Sequence, residues 1–203
     1  MYSERETISK YKWYLTLWVL VTMMVAAGVK ACEAQTVCVP YSTFVVEFDT
    51  ANWCPAAVRW SVSGTDIGRH KRPSVQRFHG DDRILGSFLI HDAYNHSGYD
   101  RGHLCPSADR SADRVKMAET FSALNICPQR PNCNRKSWLH TESITRSLAA
   151  RFGSVSVVAA PFFLPTDTLR IGRRGVRVPS WFFKWVYRSH PDTILRLFII
   201  KNE

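Results

Sequence analysis

The stretch Ser97-Gly98-Tyr99-Asp100-Arg101-Gly102-His103-Leu104-Cys105-Pro106-Ser107-Ala108-Asp109 decides how the rest of the chain is read. Asp100-Arg101-Gly102-His103 brings a carboxylate, a cation, a glycine and a base together. A glycine there admits backbone conformations closed to other residues. In an extended strand, Arg101 and His103 project on one face. That pairing suits a phosphodiester. A guanidinium grips phosphate as a bidentate fork, and a neutral imidazole takes a proton from water. On its own the tetrapeptide reads more simply as a surface histidine beside an Asp–Arg ion pair.

A second group follows in Asn125-Ile126-Cys127-Pro128-Gln129, Asn132-Cys133-Asn134, Trp138 and Glu142. If a helix opens at Asn134, then Trp138 and Glu142 lie one and two turns along. The drift is only about 80° over eight residues, so the three share a face. An amide oxygen and a carboxylate are hard ligands. They suit Mg²⁺, which is held by few protein groups and keeps several waters. Taken alone, this is an N-capping Asn and an exposed helical Glu.

Together, the two groups resemble the DNA/RNA non-specific endonucleases, the ββα-metal (His-Me finger) class that includes Serratia-type nuclease and endonuclease G. The resemblance rests on the run through Asp100–His103, on Glu119-Thr120-Phe121, on Asn125 with Pro128-Gln129, and on Asn134, Trp138 and Glu142 in that order. The hairpin over 41–62, the stretch from Val178-Pro179 to Val186-Tyr187 and the closing strand are also similar, so it covers roughly 40–203.

The resemblance implies the following roles. His103 is the general base, and Asn134 is the protein ligand of a single Mg²⁺, with Mn²⁺ as its substitute. Glu142 holds that ion's waters and counts among the catalytic residues. Asn125 orients the base and phosphate, Arg101 stabilises the charge on phosphorus, and Asp100 supports the local geometry. The implied products carry 5′-phosphates, the implied substrates are DNA and RNA, and a homodimer is the implied assembly. Arg101, Arg130, Arg135 and Lys136 are the candidate phosphate contacts. The chain departs from the family pattern at Lys136, often Gly, at Thr141, usually Leu, and at Cys105, more often a small residue. These put rate and substrate preference in question more than the reaction.

Outward from these motifs, Trp13 to Val29 is almost wholly apolar. It follows Arg5, Lys10 and Lys12 and precedes Ala31-Cys32-Glu33-Ala34. This is the n-region, h-region and small-residue pattern of a secretory signal. Residues 1–34 are therefore expected to be a signal peptide, or a signal anchor if the helix over 13–29 stays in a membrane. The expected destination is secreted, periplasmic or otherwise extracytoplasmic; an uncleaved segment would anchor the protein instead. Six cysteines fit an exported domain with disulfides, but sequence fixes no connectivity. The six-residue gap from Cys127 to Cys133 is too wide for a zinc knuckle.

The remainder, 35–203, reads as one domain. Tyr41–Asp49 and Ala57–Val62 are strand-like, broken at Asn52–Ala56. Residues 64–98 read as a long surface excursion with short strands. The stretch around Asp109–Leu124 is helical, a stronger helix runs from Asn134 to a stop at Gly153, and strands follow at Ser154–Ala160, Val176–Tyr187 and Ile194–Ile200. Strands, helices and strands again predict an α+β fold with a mainly antiparallel central sheet flanked by helices. Lys and Arg number 27 against 17 acids, giving +10 and a pI near 9.6. That field favours a polyanion such as nucleic acid, and the run Arg170–Arg177 reads as a basic loop. Two alternatives stay open: a nucleic-acid-binding or envelope-associated module on a catalytically weak nuclease fold, and a phosphodiesterase acting on another ester.

Overall fold

The computed structural model describes residues 36–73, 77–189 and 192–203. The expected signal or anchor over 1–34 lies outside them. In chain order the strands are β1 (Thr36–Pro40), β2 (Phe44–Asp49), β3 (Cys54–Ser63), β4 (Asp100–His103), β5 (Ile126–Gln129), β6 (Ser154–Phe162), β7 (Arg170–Ile171), β8 (Val176–Arg177), β9 (Trp181–Ser189) and β10 (Asp192–Lys201). The α-helices are α1 (Arg114–Glu119) and α2 (Leu139–Phe152), and a π-helical turn, Cys133–Trp138, leads into α2.

The main sheet has the order β1-β2-β3-β6-β9-β10. Its pairs from β2 to β10 are antiparallel, as expected of an α+β fold. Alternation along the strands sends one face inward: Phe44, Val46, Val58, Trp60, Val62, Val155, Val157, Phe182 and Val186 are buried. Against that face lies a separate hairpin, β4 paired with β5 in the register Asp100↔Gln129, Gly102↔Cys127 and His103↔Ile126. The π-helical turn and α2 complete a ββα unit. Gly64, at the end of β3, lets α2 approach: a Cβ there would meet the Ala149 carbonyl oxygen at 2.8 Å. Gly153, at φ 81°, stops the helix where sequence placed the stop.

Several boundaries differ from the sequence expectation. β2 opens at Phe44, because Tyr41 turns back to donate its N–H to the Phe44 carbonyl. Pro55 lies inside β3, opposite Phe48, where a bulge at Glu47/Phe48 relieves the need for its missing N–H. Among its described residues, the excursion 64–98 holds 3₁₀ turns and one isolated bridge, His79↔Ser122, in place of short strands. Its polar groups close on themselves, as when Ser87 Oγ bonds the backbone of Asp81. The helix sought around 109–124 shrinks to α1, whose N-terminus is capped by Asp113 accepting from Val115 and Lys116. The run from Val176 to Tyr187 splits in two around Pro179. Cys38, Cys54, Cys105, Cys127 and Cys133 are free thiols, against the expectation of disulfides. All but Cys38 are buried, where a thiol packs as a small apolar group.

Gly102 is the tightest point of the hairpin. A Cβ there would lie 2.3 Å from the buried Gln129 side chain. Gly102→Ala should therefore destabilise the fold by about 1–3 kcal/mol, the usual cost of overpacking, read as a lower denaturant midpoint at unchanged slope.

Candidate active site

A cleft of about 800 Å³ opens over the ββα unit. Its lining brings together Asp100, Arg101, His103, Asn134, Arg135 and Glu142, which sequence had singled out. Arg72, Phe78 and Arg146 also line it. Arg130 and Lys136 do not.

His103 ends β4. Its carbonyl accepts the indole N–H of Trp138 at 3.0 Å. Its ring meets Phe121 edge-on at 4.8 Å between centroids, with Phe78 at 5.1 Å. The residue is half-buried, yet Nε2 is sealed from solvent and has no hydrogen-bond partner among the described residues. Burial, with the Arg72 charge behind it, lowers the imidazole to about 3. The ring is thus neutral at any pH near 7, the form a general base needs.

Asp100 organises the opposite wall. Its carboxylate accepts Asn134 Nδ2 at 2.9 Å and both Nε and a terminal nitrogen of Arg135 at 2.8 Å. Burial pushes this carboxyl up, but the Arg135 and Asn134 donors outweigh it and hold it below its usual range. With Nδ2 engaged, Oδ1 is the Asn134 atom left to face a cation. Asn134 lies in the π-helical turn, not in the first turn of an α-helix, so the eight-residue spacing to Glu142 runs through a widened turn. Both still reach the cleft.

Glu142 is nine-tenths buried, and burial raises its carboxyl above the ordinary value. Arg146, one turn on, approaches it at 3.8 Å and bonds Asp109 at 3.1 Å. Asp109 in turn accepts the Trp60 indole N–H at 2.9 Å. Behind Glu142 stands Lys184, fully buried, donating to Thr141 Oγ1 at 2.8 Å. Among the described residues no group of three His, Cys, Asp or Glu side chains could hold a metal. A cation here would depend on the Asn134 oxygen and on waters facing Glu142. That donor set fits a hard, well-hydrated ion.

Two sequence candidates spend their polar groups on the protein itself. The Asn125 side chain is fully buried. It accepts from the Cys105 N–H and donates to the Cys105 and Thr120 carbonyls, so it braces the chain after His103. The Arg101 guanidinium donates to the His91 carbonyl and to Asn95 Oδ1 while stacking near Phe78 and Tyr94, so much of its fork is spent on protein. Arg130 lies over the Tyr99 ring. Sequence reading passed over Arg72, Asp109, Arg146 and Lys184. Arg146 was legible as the i+4 partner of Glu142, and Lys184 as a lone lysine in an apolar strand.

The unfolded chain protonates His103 near 6.5, whereas the folded chain does so only near 3. The folded state therefore loses stability as pH falls from about 6.5 toward 3. The expected outcome is an imidazole signal of His103 that stays neutral by NMR down to pH 5.

The family whose model matches the chain, over residues 25–203, is described as DNA/RNA non-specific endonuclease. The mitochondrial endonuclease G of Bos taurus is 35% identical over 117 residues, 53% of this chain and 39% of that protein. A nuclease of Nostoc sp. is 35% identical over 115 residues, 55% of this chain and 39% of that protein. The chain thus spans well under half the length of these curated relatives. The crystal structure of the EndoG/EndoGI complex superposes with a TM-score of 0.73 at 26% identity, covering 82% of this chain and 74% of that one.

Proposed function

The chain belongs to the DNA/RNA non-specific endonuclease family, and from that premise we propose that it is a metal-dependent endonuclease. It hydrolyses phosphodiester bonds of DNA and RNA with little sequence preference. The observation that carries this reading is the meeting of a neutral His103 with Asn134 and Glu142 in one cleft.

His103 takes the proton of the attacking water, its ring oriented by Phe78 and Phe121 and its backbone by Trp138. Nε2 is sealed, so water reaches it only when side chains around the ring, Phe78 and Phe121 among them, shift. Asn134 would hold Mg²⁺ or Mn²⁺ through its amide oxygen, and Glu142 would face the waters of that ion. When bound, the ion supplies positive charge for the phosphate and the departing 3′-oxygen. Arg72, Arg135 and Arg146 present cations to the phosphate within the same cleft. Arg101 contributes what its His91 and Asn95 bonds leave over. Cleavage on this side of phosphorus leaves 5′-phosphates. Residues 1–34 direct the protein out of the cytoplasm.

Purified protein should degrade plasmid DNA and single-stranded RNA with Mg²⁺ and stop on adding EDTA. His103→Ala should lower kcat by about 10²–10⁴-fold with nucleic-acid binding retained. Cleavage by His103→Ala at the wild-type rate would overturn the assignment. Salt-sensitive binding without cleavage in any divalent metal would favour the binding-module alternative.

A further inference from the structure

Lys184 is a buried cation that the chemistry above leaves unused. It occupies an inward position of β9 between Phe182 and Val186, and all three are fully buried. Taking an ammonium out of water is costly unless its surroundings compensate. Here Nζ donates to Thr141 Oγ1 at 2.8 Å and sits 3.9 Å from the centroid of the Trp138 ring. The carboxylates of Glu142 and Asp109 and the guanidinium of Arg146 act on it electrostatically. Two buried acids thus lie close to two basic side chains, one from α2 and one from the main sheet.

The groups Lys184 touches are those that hold the two halves of the site. Trp138 donates its indole N–H to the His103 carbonyl. Thr141 Oγ1 in turn donates its O–H to the Trp138 carbonyl at 2.7 Å, across the junction between the π-helical turn and α2. Thr141 immediately precedes Glu142. An apolar side chain would fill the same space, but it would supply neither the donor to Thr141 nor the cation under the indole.

We propose that Lys184 is a positioning residue for this site, acting through Trp138 on His103 and through Thr141 on Glu142. It pins the ββα unit to the main sheet where the two halves of the site meet. The inference rests on the roles given above to His103 and Glu142.

The test compares wild type, Lys184→Met, Thr141→Val and the double variant. Lys184→Met keeps most of the buried stem while removing the charge and the donor. Melting temperature, kcat and KM on a defined oligonucleotide, and Mn²⁺ binding without nucleic acid are measured on each. In folded Lys184→Met, kcat should fall about 10–100-fold and Mn²⁺ should bind about tenfold more weakly, the usual range for losing a group that orients a metal site. KM should change little. Thr141→Val should show part of the same loss, and the double variant should be no worse than Lys184→Met, because the two act in one chain. Lys184→Met with kcat and Mn²⁺ affinity per folded molecule within about twofold of wild type would overturn the proposal. If Lys184→Met does not fold, Thr141→Val decides by the same two readouts. Should wild type cleave nothing, the nuclease reading falls, while the Mn²⁺ measurements still decide this one.

Discussion

The Trp138 indole donates its N–H to the His103 carbonyl, and most of the site's geometry hangs on that one hydrogen bond. The ring is fully buried, tilted against Phe182 of the main sheet at 5.6 Å and seated over Lys184. It therefore ties three pieces together: the β4–β5 hairpin that carries the base, the helix that carries Glu142, and the sheet behind both. A buried indole N–H needs an acceptor. The acceptor here is the backbone of the one residue whose position matters most for proton transfer. The close approach of the hairpin strands at Gly102 and the bracing of Cys105 by Asn125 hold that carbonyl in place from the other side.

Burial then sets the protonation states. His103 is neutral because its ring is walled by Phe78 and Phe121 and because Arg72 adds positive charge nearby. Burial acts in the opposite sense on Glu142 and raises its carboxyl to about 7, the Lys184 and Arg146 charges opposing it only in part. One environment thus lowers the base and raises the acid within a single cleft. The arginines divide their labour in the same way. Arg72, Arg135 and Arg146 face the cleft, whereas Arg170 and Arg177 donate to backbone carbonyls around the β7–β8 hairpin. Arg174 lies over the Trp53 ring. Part of the +10 charge is therefore structural, and Arg170, Arg174 and Arg177 of the basic loop read from sequence have partners within the fold.

The α+β class, the antiparallel sheet and the family were legible in sequence because period-two strands and three linked motifs are local signals. Asp100, Arg101, His103, Asn134, Arg135 and Glu142 were legible for the same reason: spacing within a motif places them together. Arg130 and Lys136 show the limit, since neighbouring a motif does not aim a side chain into its cleft. The π-helical turn was not legible either, because a single widened turn leaves no distinct pattern of local propensity.

What the sequence by itself determined is which chemical groups are present and in what order: a histidine after a glycine, an asparagine and a glutamate eight residues apart, and a basic excess. What only the tertiary structure decided is the state and use of those groups. The neutrality of His103, the engagement of Arg101 with His91 and Asn95, the bracing role of Asn125 and the burial of Lys184 beneath Trp138 all depend on residues far away in the chain. Desolvation and hydrogen-bond competition are set by the whole surrounding shell of atoms, and that shell exists only once the sheet, hairpin and helix have packed.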